Sequence, residues 1–382
     1  MATDITTDRL RALSETRDVH GKVLSVFVDL DPRSFATAPA RSTEISSVLD
    51  EAARSIREHG ALTHEERAAL QRDLRRVRER LRNGQEWDGA RGLAVFASEP
   101  AELFQVLKLP RPVQHKVAIA DTPCVEPLAQ IGAGEPWWLV LVDRRRVRLL
   151  AGTVDGLVEL WRQDDAIHGQ HEQGGWSQAR YQRSVDKEAD DHLRGVDEEL
   201  QQRLRDTRVA GILLGGPLET TKHLQGLLHA DVARCVQGRF DVDVWNSSTD
   251  AVLDAARPVL DELTTRRDDE LLERIEEGVS TGGRAATGLQ DVLLAVHERR
   301  VDTLVVQEGL TAKGTRCPQC GWLGVSAGGQ CPADGTMTEM VDNVVEAAVG
   351  RAFGQDARVR YLPAGEDAPR PVPDSIAAVL RF

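Results

Sequence analysis

Hydrophobic positions in the first third of the chain follow two different spacings. Apolar residues recur at helical spacing around Leu10 and again between Ser42 and about Arg82, where two runs predict two amphipathic helices. A β-prone run begins at Val23, and Pro32 ends it, as expected of a buried strand. Three further short β-prone runs follow, at 92–98, 103–109 and 115–121. This segment is therefore predicted to mix helices and strands.

A second pattern begins after the glycine-rich stretch at 132–136. Three β-prone runs predict an antiparallel meander, and a polar, glycine-bearing loop at 168–175 follows them. A long helix is predicted from Ser177 to Arg205, and the apolar run from Val209 to Pro217 is typical of a strand buried on both faces. Two more helices are predicted, around Leu224 to Val236 and from Thr249 to Leu263.

The last third of the chain begins with an acidic helical pattern from Asp268 to Gly278. The runs that follow alternate between helix and strand, and they predict an αβα arrangement around a small sheet. They are a helix at 291–300, a strand at 301–309, a helix at 344–353 and a strand at 357–363. The remainder is interpreted as a polar, proline-containing tail.

These three patterns predict three α/β domains, since 382 residues exceed what one ordinary core holds. The predicted boundaries are 1–131 for an N-terminal domain, 132–267 for a middle domain and 268–382 for a C-terminal domain with a cysteine-rich insertion at 317–335. The chain has neither an apolar leader nor a run long enough to span a bilayer. We therefore expect a folded cytosolic protein with no membrane partner.

The net charge of −13 argues against indiscriminate binding of nucleic acid, because phosphate binding needs Lys and Arg. Any RNA contact must be local, and DNA is not an expected partner. Two arginine-rich stretches could supply a local RNA contact. The alternative for both stretches is a solvated surface. They are Arg72, Arg75, Arg76, Arg78, Arg80 and Arg82 in one segment, and Arg144, Arg145, Arg146 and Arg148 in another.

Three of the five cysteines cluster in the C-terminal segment, in a pattern that predicts a structural zinc site. Cys317 and Cys320 form a Cys-x-x-Cys turn, and Cys331 begins a second half in which Asp334 stands where a fourth cysteine would be. Carboxylates are accepted zinc ligands, although cysteine and histidine dominate structural sites. The alternative is a metal-free remnant held by packing.

The loop in the middle segment resembles that of the archaeo-eukaryotic class-1 peptide-chain release factors. That family's loop, typically H-G-R-G-G-Q-S-x-x-R-F-x-R, corresponds to HGQHEQGGWSQARYQR at 168–183. The strand VAGILLGGP and the block GLQDVLLAVHERRVDTLVVQEGL also resemble family segments, in the same order. The family includes the ribosome-rescue factor Pelota and bacterial members such as Balon that are proposed to act in ribosome hibernation. The residues carried over to the RNA-binding loop are Gly174, Gly175, Trp176, Ser177, Arg180 and Arg183.

The resemblance implies that this loop enters the peptidyl-transferase centre, where the family's glutamine helps water attack peptidyl-tRNA. Trp176 replaces that glutamine with a bulky indole that has a single donor, so it could stack on a nucleobase but could not place the water in the same way. One alternative is a surface aromatic packed on its own helix. Another is a tRNA-cleaving branch of the family with a Gly-x-x-Gln pattern, in which Gln178 would be catalytic. His168, His171 and Glu172 are interpreted as a polar, solvated loop.

The family's stop-codon motifs are not visible in the first segment, so both the decoding end and the catalytic end are altered. A second Gly-Gly-Gln at Gly328 to Gln330 lies between the cysteine halves, lacks the helix that follows the loop, and is rejected as catalytic. The resemblance therefore implies a tRNA-mimicking protein of the ribosomal A site, in hibernation or stress protection, without hydrolysis. The alternative is a rescue enzyme, and a translational GTPase is a candidate partner because the family recruits one through its C-terminal domain.

Overall fold

The computed structural model describes the chain except for residues 1–6, 17–20, 83, 85–86, 88, 132–135, 155, 165–177, 326–327 and 365–369. Two compact units are present. The middle unit comprises residues 134–266, and the composite unit combines residues 4–133 with residues 267–382. The predicted α/β fold class is confirmed, because each unit combines helices with its own sheets. The division into three domains stays a prediction.

The N-terminal part of the composite unit is one antiparallel sheet, in the order β3-β2-β1-β4, with helices beside it. Helix α3 begins with a capping box, in which Thr63 accepts a hydrogen bond from the Glu66 amide and Glu66 accepts one from the Thr63 amide. The elements are α1 (Thr7–Glu15), β1 (Val23–Asp29), α2 (Ala38–Glu58), α3 (His64–Leu81), β2 (Gly92–Ser98), β3 (Leu103–Leu109), β4 (Lys116–Ala120) and α4 (Glu126–Gln130).

The middle unit is built on a five-stranded sheet, in the order β7-β6-β5-β8-β9. Strands β5, β6 and β7 form the predicted antiparallel meander, and β8 is parallel to both of its neighbours, β5 and β9. The elements are β5 (Trp137–Val142), β6 (Arg146–Thr153), β7 (Gly156–Asp164), α5 (Gln178–Leu204), β8 (Gly211–Gly215), α6 (Leu218–Leu227), α7 (Ala230–Ala233), β9 (Val236–Phe240) and the first part of α8 (Thr249–Ser280), whose residues after 266 belong to the composite unit.

The C-terminal part of the composite unit has a mixed four-stranded sheet, β10-β16-β11-β15, and a small sheet, β13-β12-β14, that carries the cysteines. Strand β11 is parallel to β15 and antiparallel to β16. The elements are β10 (Ala285–Thr287), α9 (Leu289–His297), β11 (Val301–Gln307), β12 (Gly314–Arg316), β13 (Leu323–Gly324), β14 (Glu339–Val341), α10 (Val344–Phe353), β15 (Arg358–Leu362), a 3-10 turn (Pro373–Ser375) and β16 (Ile376–Leu380).

One hydrophobic core joins the two halves of the composite unit. Alternate residues of β1 point to opposite faces of its sheet, as the two-residue period of a strand requires. Leu24 and Val26 pack in a cluster with α2 and α3, whereas Val23 and Phe27 pack in a cluster that includes Val349 of α10 and other C-terminal residues. Both faces of β1 are therefore buried, one of them by a distant part of the chain.

Three sequence predictions need correction. The helix expected from Leu224 to Val236 is replaced by the short helices α6 and α7, and the edge strand β9 begins at Val236. The helices expected on either side of residue 267 are one continuous helix, α8, because no helix-breaking residue separates them. The expected polar tail contains β16, which lies inside its sheet between β10 and β11. No helix among the described residues is both long and apolar enough to cross a membrane.

Candidate functional site

The predicted RNA-binding loop lies between two elements of the middle unit. Strand β7 ends at Asp164 and α5 begins at Gln178, so the helix expected from Ser177 is confirmed to within a residue. The loop residues Gly174, Gly175, Trp176 and Ser177 lie outside the described residues, as do His168, His171 and Glu172. The same holds for the side chains of Gln178, Arg180 and Arg183, whose backbone belongs to α5. The roles assigned to these residues stay predictions.

The two arginine-rich stretches occupy different settings. The first lies on α3, where Arg72 pairs with Glu99 at 2.5 Å and Arg78 pairs with Asp50 at 2.7 Å. Exposed ion pairs of this kind contribute little to folding free energy and are what a solvated helix face forms. The second stretch lies at the turn between β5 and β6 of the middle unit, and its last member, Arg148, is only 5% exposed. The second stretch therefore differs from a solvated surface, because at least Arg148 is buried within the middle unit.

The three cysteines and the aspartate predicted as metal ligands converge in the composite unit. The potential ligand atoms of Cys317, Cys320, Cys331 and Asp334 all lie within 4.8 Å of one another. The Sγ atoms of Cys320 and Cys331 are 3.5 Å apart, and the Asp334 carboxylate lies 3.4 Å from the Cys317 Sγ. The five cysteines are free thiols. The spacing that predicted the ligand set therefore corresponds to a real cluster.

The two halves of the cluster, which we call the knuckles, have the same backbone geometry. In the first, the Gly321 amide donates to the Cys317 carbonyl at 3.0 Å, and in the second the Gly335 amide donates to the Cys331 carbonyl at 2.9 Å. Both glycines adopt a positive φ, 74° and 75°, which favours glycine. Asp334 therefore occupies in the second knuckle the position that Cys320 occupies in the first.

The donor set fits a structural divalent metal such as zinc. A tetrahedral ion with Zn–S bonds of about 2.3 Å holds its ligands roughly 3.8 Å apart, close to the observed Sγ separation of 3.5 Å. Burial raises the pKa of Cys320 to about 12, and the neighbouring side chains of Asp334 and Cys331 contribute to the rise. The raised pKa keeps the Cys320 thiol protonated when no metal is bound, and a divalent cation that displaces the thiol protons would stabilise the thiolate forms and thereby the cluster.

The sequence patterns did not predict a group of partly buried ion pairs in the composite unit. Lys116 of β4 lies between two carboxylates, with its Nζ 2.9 Å from Glu126 and 2.7 Å from Glu346. Asp121, just after β4, pairs with Lys22 and with Arg316, each at 2.5 Å. These partners are far apart in sequence, so no local pattern signals them.

The pKa values in this group follow from burial and from the facing charges. Burial raises the pKa of Glu126, and the charge of Lys116 opposes but does not cancel the rise. For Asp121, burial also raises the pKa, but hydrogen bonding and the charges of Lys22 and Arg316 outweigh burial and hold the pKa below its usual value. The network is therefore an organised set of ion pairs joining the two halves of the composite unit.

The comparisons with known proteins agree on one class. The chain is 27% identical over 315 residues to peptide chain release factor subunit 1 of Archaeoglobus fulgidus, covering 76% of this chain and 77% of that one. It is 25% identical over 338 residues to the same factor of Methanocaldococcus jannaschii, covering 82% and 77%. A crystal structure of an archaeal translation termination factor aligns over 99% of both chains, with 16% identity and a TM-score of 0.28.

The sequence matches show that most of this chain is similar to archaeal peptide chain release factors. Residues 123–260, which include most of the middle unit and its loop, match the model of bacterial archaeo-eukaryotic release factor family 10. The resemblance inferred from the loop, the strand after it and the C-terminal block is therefore confirmed.

Proposed function

We propose that the protein binds the ribosome in the A site and protects it during hibernation or stress without releasing the nascent chain. The proposal rests on the resemblance of Gly174-Gly175-Trp176 and its flanking residues to the family's Gly-Gly-Gln loop, in a segment that matches the model of the bacterial release-factor family. The loop position is kept while the glutamine is replaced. Such a factor acts in the cytoplasm.

Trp176 supports binding better than hydrolysis for a physical reason. A catalytic site for ester hydrolysis must hold a water near polar groups, whereas an indole is mostly apolar and offers one N–H donor. The same ring can stack on an unpaired base, which contributes on the order of 1–3 kcal/mol of binding free energy. We therefore assign Trp176 to contact with ribosomal RNA.

Co-sedimentation with purified 70S ribosomes tests the proposal. Wild-type protein is expected to pellet with ribosomes, Trp176→Ala to bind about tenfold more weakly, and Trp176→Phe to retain binding because it keeps a stacking face. Failure of the wild-type protein to pellet would overturn ribosome binding, and equal binding by Trp176→Ala would overturn the stacking role.

Release of labelled peptide from stalled ribosomal complexes tests the absence of hydrolysis. The wild-type protein is expected to release none above the rate without factor. Release that disappears in Gln178→Ala would contradict the non-catalytic role and favour rescue by peptidyl-tRNA hydrolysis or tRNA cleavage. Gln178 is the first residue of α5, directly after the loop.

We also propose that the knuckles bind one structural zinc ion through Cys317, Cys320, Cys331 and Asp334. The support is the convergence of their four donor groups and the matched backbone geometry of the two halves. Elemental analysis of protein purified without chelator is expected to give one zinc per chain, and Cys331→Ser to lose it. Metal-free wild-type protein that is folded and equally stable would count against the site. A translational GTPase remains a candidate partner of the composite unit.

A further inference from the structure

The middle unit contains an ordered cluster of arginine and tryptophan side chains at one end of its antiparallel hairpin. We call this cluster the arginine–tryptophan platform, and it comprises Arg144, Arg145, Arg146, Arg162 and Trp245. Arg144 and Arg145 form the tip of the turn between β5 and β6, and Arg162 lies on β7. Trp245 comes from a different part of the unit, the loop between β9 and α8.

A buried arginine beneath the platform fixes that loop. The Arg148 guanidinium donates from Nη1 to the carbonyls of Val244, at 3.2 Å, and Ser247, at 2.8 Å. Its Nε lies 2.5 Å from the Glu159 carboxylate on the neighbouring strand. Because these partners flank Trp245 on both sides, Arg148 acts as a positioning residue that holds the loop against the hairpin.

The loop also has an internal cap that orients the tryptophan. The Asp243 carboxylate accepts hydrogen bonds from the amides of Trp245 and Asn246, both at 2.9 Å. The guanidinium carbons of Arg146 and Arg162 then lie 5.1 Å and 4.1 Å from the Trp245 ring centroid. Both distances are within the range of cation–π attraction, so both guanidinium groups contact the indole of Trp245.

The arrangement concentrates positive charge at a cost to folding. Arg148 and Arg162 face each other across β6 and β7, and like charges in that position are destabilising. Glu159 lies between them, 2.5 Å from Arg148 and 3.5 Å from Arg162, and compensates for the repulsion. A neutral residue opposite Arg148 would avoid the conflict, so the sheet itself does not require Arg162.

The turn between β5 and β6 carries two exposed arginines, although the carboxylates near the platform keep their negative charge. Asp143 accepts hydrogen bonds from the amides of Arg145 and Arg146, both at 2.8 Å, and Asp164 pairs with Arg146 at 3.6 Å. Arg144 and Arg145 are exposed, and no ion pair joins either of them to another residue in the described part of the chain. Two exposed guanidinium groups without an ion pair therefore lie at the turn that leads into Arg146, in a chain whose net charge is −13.

We infer that the arginine–tryptophan platform binds single-stranded ribosomal RNA. Guanidinium groups match the geometry of phosphate oxygens, and aromatic and guanidinium planes stack on unpaired bases. The Gly174-Gly175-Trp176 loop begins directly after β7, the strand that carries Arg162. The identity of the RNA rests on the proposed ribosomal function, whereas RNA binding by the platform does not.

Binding of a fluorescein-labelled, mixed-sequence single-stranded RNA 12-mer by the full-length protein tests the inference directly. Arg144→Gln/Arg145→Gln is expected to weaken binding about tenfold and to lower the slope of log affinity against log salt concentration by about 1.4, or 0.7 per lost phosphate contact. Trp245→Leu is expected to weaken binding about tenfold through lost stacking, and Trp245→Tyr to restore it.

The matched control is Arg234→Gln/Arg239→Gln, which removes the same charge from exposed arginines of the same unit. If both arginine pairs weaken RNA binding equally, or neither does, the platform has no specific role and the inference is overturned. Poly-glutamate is included as a competitor, and competition as strong as that of unlabelled RNA would indicate an acidic protein partner and overturn it as well.

Sedimentation with 70S ribosomes separates this inference from the proposed function. If wild-type protein pellets and Arg144→Gln/Arg145→Gln pellets equally well, the platform assignment fails while ribosome binding stands. If wild-type protein does not pellet but binds the 12-mer through Arg144 and Arg145, the ribosomal proposal fails while RNA binding by the platform stands. Wild-type protein that binds neither would overturn both.

Discussion

Each unit contains a cationic side chain that several groups contact, and the two are held differently: Lys116 is partly exposed, whereas Arg148 is buried. In the composite unit, Lys116 lies between Glu126 and Glu346, which come from the two sequence-distant halves. In the middle unit, Arg148 has one carboxylate partner, Glu159, and two neutral backbone carbonyls of a nearby loop. The first cation joins two segments by neutralising charge, and the second orders a loop by hydrogen bonding. Removing them should therefore have different consequences.

The largest effect is expected from Lys116→Met. Without the ammonium group, the largely buried Glu126 faces Glu346 uncompensated, and breaking a buried ion pair in this way costs about 3 kcal/mol of unfolding free energy. Urea denaturation of the wild-type and Lys116→Met proteins measures this loss of unfolding free energy. Adding Glu346→Gln to Lys116→Met should recover part of the loss, because it removes one of the two like charges.

The control for this change is Lys313→Met, at an exposed lysine of the same unit. We expect it to alter unfolding free energy by less than about 0.5 kcal/mol. A loss of that small size in Lys116→Met would show that the hydrophobic core alone joins the two halves.

A smaller effect, about 2 kcal/mol, is expected from Arg148→Met in the middle unit. Two carbonyls lose their donor, but Glu159 is 24% exposed at its side chain and can be hydrated. The distinguishing measurement is amide hydrogen exchange, which should increase at Trp245 and Asn246. Arg148→Lys keeps the charge but not the forked geometry, and protection as complete as in wild type would contradict the assigned role.

The smallest effect concerns acid pH and the other ion pairs of the composite unit. The folded-state pKa of Asp121 is lowered, so its contribution is present above the unfolded value of about 3.9 and is lost as pH falls through the folded pKa. Asp121→Asn should therefore flatten the pH dependence of unfolding free energy between about pH 5 and pH 3, by about 1 kcal/mol. The control is Asp254→Asn, at an exposed ion pair of the middle unit, which should leave the pH dependence of unfolding free energy unchanged. Equal pH dependence in the two variants would refute the contribution assigned to Asp121.

The sequence predicted elements whose patterns are local, and it failed where distant pairing decides the structure. The β2 and β3 bounds match the predicted runs because each is an uninterrupted apolar or alternating stretch. Strand β9 was missed because Gln237, Gly238 and Arg239 interrupt its apolar positions. Strand β16 was missed because Pro371 and Pro373 precede it, and only its pairing with β11 makes it a strand.

The candidate functional residues likewise divide into those that a local pattern predicts and those that depend on distant contacts. The cluster of Cys317, Cys320, Cys331 and Asp334 was predictable because each knuckle is a local turn with its own spacing. Trp245 was not, because its contacts depend on a loop folding back onto the hairpin, with Arg148 bonding 96 and 99 residues away. Lys116 and Glu346, which are 230 residues apart, gave no sequence signal for the same reason.

The composite unit has a consequence for how the chain is made. During synthesis, the β1 face that carries Val23 and Phe27 emerges long before α10 and β16, which complete the core it belongs to. At a synthesis rate of about 5–20 residues per second, that face of β1 stays without its partners for roughly 20–70 s. The middle unit, being contiguous, can fold in that interval. The newborn first segment therefore passes through a period of exposed apolar surface, in which chaperone protection matters most.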